Sequence, residues 1–143
     1  MPRAGNRRTR PTAEIPFPLK TRRPIPYAFV LDALASASPR TQAMFGSTAV
    51  YVQDRIVLVL RDKPTHPADN GVWLATQKDH HASLRKEFPT MRSIGVLGKP
   101  VTGWQVLPAD APHFEESVMH ACELICAGDS RIGKIPGLKR KRL

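Results

Sequence analysis

Residues 48–60 read TAVYVQDRIVLVL and predict the centre of the fold. Its second part, Ile56 to Leu60, is apolar at every position, which is typical of a central strand covered on both faces. Its first part, Thr48 to Gln53, alternates between two sides as a strand does. Only a tight turn at 53–55 joins the two parts, and so short a connection requires antiparallel pairing. The sequence therefore predicts a β-hairpin at the centre of an antiparallel sheet.

The sequence on either side of this hairpin predicts further strands and three helices. Asp79 and Asp110 are expected to be the N-caps of the second and third helices. The order of elements predicts a single small α+β domain, with a mainly antiparallel sheet of five to six strands and helices packed on it. The additional strands are predicted at 41–45, 72–76, 91–96 and 102–107, and the helices at 26–35, 79–87 and 111–127.

The positive charge of this chain is concentrated at its two ends. The formal net charge is +10 over 143 residues, yet residues 25–127 carry −1. Residues 1–24 carry +6 and residues 128–143 carry +5. Segments rich in proline and charge bury too little apolar surface to fold on their own. We therefore expect a disordered basic arm at 1–24, a folded domain at 25–127 and a basic C-terminal tail at 128–143.

The basic ends predict weak, nonspecific binding of nucleic acid or of another anionic partner. Such segments attract phosphates through counterion release without reading base sequence. They can equally serve only to keep a domain soluble. The near-neutral body is expected to bind duplex weakly or not at all. The residues expected to contact phosphates are Arg7, Arg8, Arg10, Arg22, Arg23, Lys139, Arg140, Lys141 and Arg142.

No sequence pattern of a known catalytic or cofactor site occurs in the chain. HExxH, CxxC, GxSxG, P-loop and GxGxxG patterns are all missing. The adjacent His80 and His81 would point about 100° apart on a helix. We therefore expect a non-enzymatic binding or interaction domain with no catalytic residue, cofactor or metal. The alternative is an enzyme or small-molecule-binding protein with a pocket near Trp73, Trp104 and His80.

The two tryptophans allow two interpretations. Trp73 and Trp104 each fall in a predicted strand, where an aromatic ring can stack on bases of a single strand. They can also be ordinary core residues. Aromatic residues make up only 6% of the chain, and basic residues do not alternate with aromatic ones inside the body. The composition favours the interpretation of both tryptophans as core residues.

Two cysteines lie four residues apart in the last predicted helix. Cys122 and Cys126 would lie on one side of that helix, where a disulfide is geometrically poor. Cys122 is expected to be buried in the apolar face that also contains Phe114, Val118 and Ile125. Free thiols fit a reducing compartment, and no apolar run of 18 residues predicts a membrane span. We therefore expect a cytoplasmic protein.

Several short motifs resemble the TfoX N-terminal domain family when taken in order. They are Met44-Phe45-Gly46, Tyr51-Val52, the strand at 56–60, Gly98-Lys99 and the stretch 104–108 that ends in a proline. The resemblance covers roughly residues 27–125. It implies a small α+β fold with an antiparallel sheet and carries over no catalytic residue. The related MmcQ/YjbR family is similar in layout, through residues 84–89 followed by Met91-Arg92.

The chain also departs from the TfoX pattern. Ser47 replaces a second glycine and the loop 64–70 is long. We also expect the chain to lack the helical C-terminal domain of full-length TfoX regulators. A role in DNA uptake is therefore not carried over. Within the Met44-Phe45-Gly46 motif, we expect Phe45 to be buried against the sheet. Gly46 is expected at a positive φ or at a close contact.

Overall fold

The computed structural model describes residues 24–98 and 102–136. Within them, six strands form one antiparallel sheet and three α-helices pack on it, which confirms the predicted α+β class. Short 3₁₀ turns lie at Ala35–Ala37 and Pro67–Asp69. In chain order the elements are α1 Phe29–Ala33, β1 Arg40–Met44, β2 Ser47–Val52, β3 Arg55–Arg61, β4 Gly71–Ala75, α2 Lys78–Glu87, β5 Arg92–Ser93, β6 Trp104–Pro108 and α3 Phe114–Cys126.

The sheet has the strand order β1-β2-β3-β4-β6-β5. β3 therefore has a neighbour on each side, and residues 56–60 are buried at every position, as predicted. Two-residue turns, Phe45-Gly46 and Gln53-Asp54, join β1 to β2 and β2 to β3. A register shift in the β2–β3 pairing lies between Val50 and Tyr51. This shift decides which residues of β3 share a face.

The two faces of the sheet are packed differently. The helices contribute buried side chains to one large apolar cluster, which includes Val30 of α1, Leu84 of α2 and Cys122 of α3. A smaller cluster lies on the opposite face and contains no helical residue. Apolar burial against the sheet is what holds the short helices in place. Within the described residues, the second face carries no helix.

The first helix is shorter than predicted. It covers Phe29–Ala33, because Tyr27 adopts φ +52° and cannot be part of a right-handed helix. Its hydroxyl donates a hydrogen bond to the carbonyl oxygen of Arg61 at 3.1 Å, and its ring packs edge-on against Phe114. These tertiary contacts determine where the helix begins.

Neither predicted N-cap occupies the capping position. α2 begins one residue earlier than predicted, at Lys78, so Asp79 lies in its first turn. At this position the helix dipole still stabilises a carboxylate. Asp110 lies in a turn closed by the hydrogen bond from the Ala111 amide to the Pro108 carbonyl. His113 is therefore the residue that precedes α3.

The strand predicted at 91–96 is only two residues long. The buried carboxylate of Asp69 accepts hydrogen bonds from the amides of Gly95 at 2.9 Å and Val96 at 2.7 Å. Its other oxygen pairs with Arg92 at 3.1 Å. Because a side chain takes these backbone donors, they are lost to the ladder with β6.

The prediction that Phe45 is buried is wrong. Phe45 is 88% exposed and has φ +50°, next to Gly46 at φ +78°. Both residues form the tip of the β1–β2 hairpin, where two successive positive φ angles match the twist of the strands. The positive φ expected at Gly46 is confirmed. The requirements of the turn outweigh the burial of the aromatic ring.

Packed structure continues past Ala127, where the C-terminal tail was expected to begin. Ile132 is buried in the large cluster, and the Gly133 amide donates to the carbonyl of Ala75. Lys134 pairs with Ile56 through two backbone hydrogen bonds of 2.8 and 2.9 Å. Residues 128–136 thus belong to the folded part of the chain.

Candidate functional site

The face of the sheet opposite the helices is the candidate site, and we call it the open face. Directly opposite residues in an antiparallel pair point to the same side of a sheet. Arg40 lies opposite Tyr51, Tyr51 opposite Ile56, and Ile56 opposite Lys134. One row of side chains therefore crosses the sheet as cation, aromatic ring, aliphatic group and cation.

Trp104 extends this row beyond Lys134. Gly133, the residue before Lys134, donates its amide to the carbonyl of Ala75, and Ala75 lies opposite Trp104. A second row runs parallel to the first across all six strands. Its residues, each opposite the next, are Gln42, Ala49, Val59, Trp73, Val106 and Arg92.

The two tryptophans form a pair on the open face. Their ring centroids are 5.9 Å apart with a 56° angle between the planes. Both are partly buried, because they cover the small buried residues Ala49 and Ala75. The indole N–H of Trp73 donates to the Asp69 carbonyl at 2.9 Å. Trp73 and Trp104 thus fit neither sequence interpretation fully, since they pack on a small cluster and remain partly exposed.

Two basic side chains lie over aromatic rings of this face. The guanidinium of Arg40 is 5.2 Å from the centroid of the Tyr51 ring, and the Nζ of Lys134 is 5.3 Å from that of Trp104. Arg40 also donates to the Gln53 carbonyl at 2.7 Å. These distances are those of cation–π contacts. Each aromatic ring of the first row therefore has a positive charge beside it.

The C-terminal end of the described chain lies at the open face. Lys134 is beside Trp104, and Pro136 is the last described residue. Only two residues separate Pro136 from Lys139, the first of four consecutive basic residues. The basic run 139–142 itself lies outside the described residues.

None of the residues predicted to contact phosphates can be placed on the fold. All nine lie outside the described residues, five in the N-terminal arm and four in the C-terminal run. Sequence reasoning missed the two cations of the open face, Arg40 and Lys134. Arg40 could have been found from its position directly before the strand predicted at 41–45. Lys134 could not, because its pairing with Ile56 is a long-range contact.

The histidines of α2 do not form a paired site. His81 is buried, and its Nε2 makes no hydrogen bond among the described residues. Burial is the main reason that its pKa is lowered, and the charges of Arg85, Lys78 and Lys134 lower it further. His80 is partly buried. An open groove of about 680 Å³ lies elsewhere, at the β1 edge, and none of its lining residues is Trp73, Trp104 or His80.

A charged cluster joins α2, α3 and the segment 128–136. Glu87 contacts both His120 at 2.8 Å and Arg131 at 2.6 Å. Arg131 also pairs with Asp129 at 2.7 Å, and its hydrogen bond is the main reason that the pKa of Asp129 falls to about 2. These ion pairs connect the segment 128–136 to α2 and α3. Over residues 24–98 and 102–136, no group of three or more histidine, cysteine or acidic side chains is placed to hold a metal ion.

Neither the length and polarity of the helices nor the comparisons with known proteins indicate a function. Among the described residues, each helix is too short or too polar to cross a membrane. No family model matches the chain, and no curated protein and no solved structure matches it significantly.

Proposed function

We propose that this chain is a non-enzymatic binding domain that holds single-stranded nucleic acid without sequence specificity. The basic ends supply most of the affinity, through Arg7, Arg8, Arg10, Arg22 and Arg23 and through residues 139–142. The open face adds a preference for single strands, because unpaired bases can stack on its aromatic rings. The proposal includes membership of the TfoX N-terminal type and a cytoplasmic location, which the two free cysteines support.

The observation that carries this proposal is the row from Arg40 to Lys134. Sheet faces that bind single strands place aromatic side chains under the bases and cations along the backbone. Here Tyr51 and Trp104 each have a cation within 5.3 Å of the ring centroid. The helices cover the opposite face, so among the described residues this is the side on which a strand can lie.

The tryptophans allow a direct test. The chain contains only two, Trp73 and Trp104, and both lie on the open face. Titration of the full chain with oligo(dT) should therefore quench the intrinsic fluorescence as bases stack. An equal concentration of duplex should quench less, because paired bases cannot reach the rings. Affinity should fall linearly in log salt, with a slope near −0.7 for each phosphate neutralised on a single strand.

Paired substitutions separate the face from the ends of the chain. Arg40→Gln with Lys134→Gln should weaken oligo(dT) binding by about tenfold at low salt and make the salt slope shallower. Arg85→Gln with Lys86→Gln removes the same charge from α2, on the other side of the sheet, and should change binding less. Replacing residues 139–142 by glutamine should weaken single-strand and duplex binding alike.

Two outcomes would contradict the proposal. If both pairs of substitutions reduce binding equally and oligo(dT) leaves the fluorescence unchanged, the open face does not take part. If a small molecule instead quenches the tryptophans saturably and without salt dependence, the alternative of a ligand pocket near Trp73, Trp104 and His80 is favoured.

A further inference from the structure

The strand β1 is an edge of the sheet. It pairs with β2 on one side, and among the described residues nothing pairs with it on the other. Residues 40–43 are all exposed. An edge strand of this kind presents unpaired backbone N–H and C=O groups that bind another extended segment.

An open groove of about 680 Å³ runs beside this edge. The first described residues of the chain, Pro24 to Pro26, form part of its wall. The N-terminal arm therefore enters the fold at the unpaired edge. The other lining residues are Thr41, Gln42, Ala43, Gly46, Ser47, Thr48 and Asp62.

The arm contains one stretch with the pattern of an edge strand. Residues 15–19 read IPFPL, so apolar Ile15, Phe17 and Leu19 alternate with Pro16 and Pro18. In a strand, successive residues direct their backbone groups to opposite sides, and proline is tolerated only where its missing N–H would face away from the sheet. The prolines occupy every second position, which leaves the N–H groups of the three apolar residues for pairing.

The length of the arm suits this arrangement. Five residue steps join Leu19 to Pro24, and they can span up to about 17 Å. β1 has five residues and is about 17 Å long. The segment 15–19 can therefore reach the whole of β1 from the groove.

We propose that residues 15–19 pair with the outer edge of β1 as a seventh strand, in the same molecule. Pairing covers the edge and fills the groove with apolar side chains. Arg7, Arg8 and Arg10 precede this segment and Arg22 and Arg23 follow it, so they stay available for phosphates. This inference does not rest on the proposed binding of nucleic acid.

Residue-resolved amide exchange on the full chain tests the pairing. The amides of β1 that face away from β2 should exchange at least about tenfold more slowly in the native chain than in the Phe17→Pro variant. Phe17→Pro removes a pairing N–H, whereas Pro18→Ala changes a residue whose backbone faces away. Pro18→Ala should therefore keep the protection.

Each other result overturns the inference. Equal exchange of these amides in the native chain and in Phe17→Pro would show that the arm does not pair with β1. Protection that grows with protein concentration, together with a dimer in sedimentation, would assign the edge to a second copy of the chain.

Discussion

His120 of α3 donates a hydrogen bond from Nε2 to Oε1 of Glu87 on α2, at a distance of 2.8 Å. The second oxygen of Glu87 pairs with Arg131, so one carboxylate connects both helices to the segment 128–136. The hydrogen bond to Glu87 is the main reason that the pKa of His120 is raised. Hydrogen bonds from His120 and Arg131 lower the pKa of Glu87. The stability of this junction therefore depends on pH.

The contribution of this pair should be greatest between pH 4.5 and 6.5, the ordinary pKa values of the two groups. The raised pKa of His120 adds stability that is complete below 6.5 and is lost as pH rises through the folded value. The lowered pKa of Glu87 adds stability that is lost as pH falls through its folded value. The Tm difference between the native chain and His120→Gln should therefore shrink above neutral pH.

His113 provides the matched control for this pH profile. It pairs with Glu116 at 2.7 Å, but both side chains are more than three-quarters exposed. His113→Asn keeps a residue that tolerates φ +59° and should leave the pH profile parallel to that of the native chain. A Tm difference for His120→Gln that is constant with pH would contradict the assignment.

The two thiols should react at very different rates. Burial is the main reason that the pKa of Cys122 rises to about 12, so almost none of it is thiolate at neutral pH. Cys126 is exposed at the end of α3. A disulfide reagent should therefore label one thiol quickly, and Cys126→Ser should abolish this fast phase. Fast labelling that survives in Cys126→Ser would contradict the burial of Cys122.

Phe45→Asn should stabilise the fold by about 1 kcal/mol, because asparagine tolerates the left-handed conformation better than an aromatic residue. Little burial is lost, since Phe45 is 88% exposed. Thermal unfolding should show a Tm higher by a few degrees. Leu97→Asn removes another exposed apolar side chain, at a residue without a positive φ, and should bring no such gain. A large loss of stability in Phe45→Asn would show that the ring packs against the protein.

Asp69→Asn should destabilise the fold by about 3 kcal/mol, because an amide cannot accept all the hydrogen bonds that the buried carboxylate accepts. Denaturant unfolding measures the loss, and exchange of the Gly95 and Val96 amides should accelerate. Asp110→Asn, at an exposed aspartate in a turn, should be nearly neutral. Unchanged exchange at Gly95 and Val96 would contradict this role.

Local patterns predicted most of the strands and helices but placed several of their ends wrongly. The alternation at 48–53 and the continuous apolar run at 56–60 are properties of neighbouring residues, so the central hairpin could be recognised. The ends of α1 and β5 depend on distant partners. Tyr27 is held by the carbonyl of Arg61, and Asp69 withdraws the amides of Gly95 and Val96 from the sheet.

The candidate site was predicted only in part for the same reason. Trp73 and Trp104 were singled out as candidates, but their common face and their two cations depend on pairings between distant strands. Strict alternation along β3 would place Ile56 with Leu58 and Leu60. The register shift beside Tyr51 instead places Ile56 with Val59 on the open face.

The charge distribution, the central hairpin and the α+β class can be read from the amino-acid sequence, because each follows from composition or from contacts between near neighbours. The open face, in contrast, exists only in the folded chain. Lys134, in a segment predicted as tail, joins the sheet beside Ile56 and comes to lie over Trp104. Lys134 and Trp104 are 30 residues apart in the chain. Backbone pairing and the burial of Ile132 bring them together, and no local sequence pattern predicts these contacts.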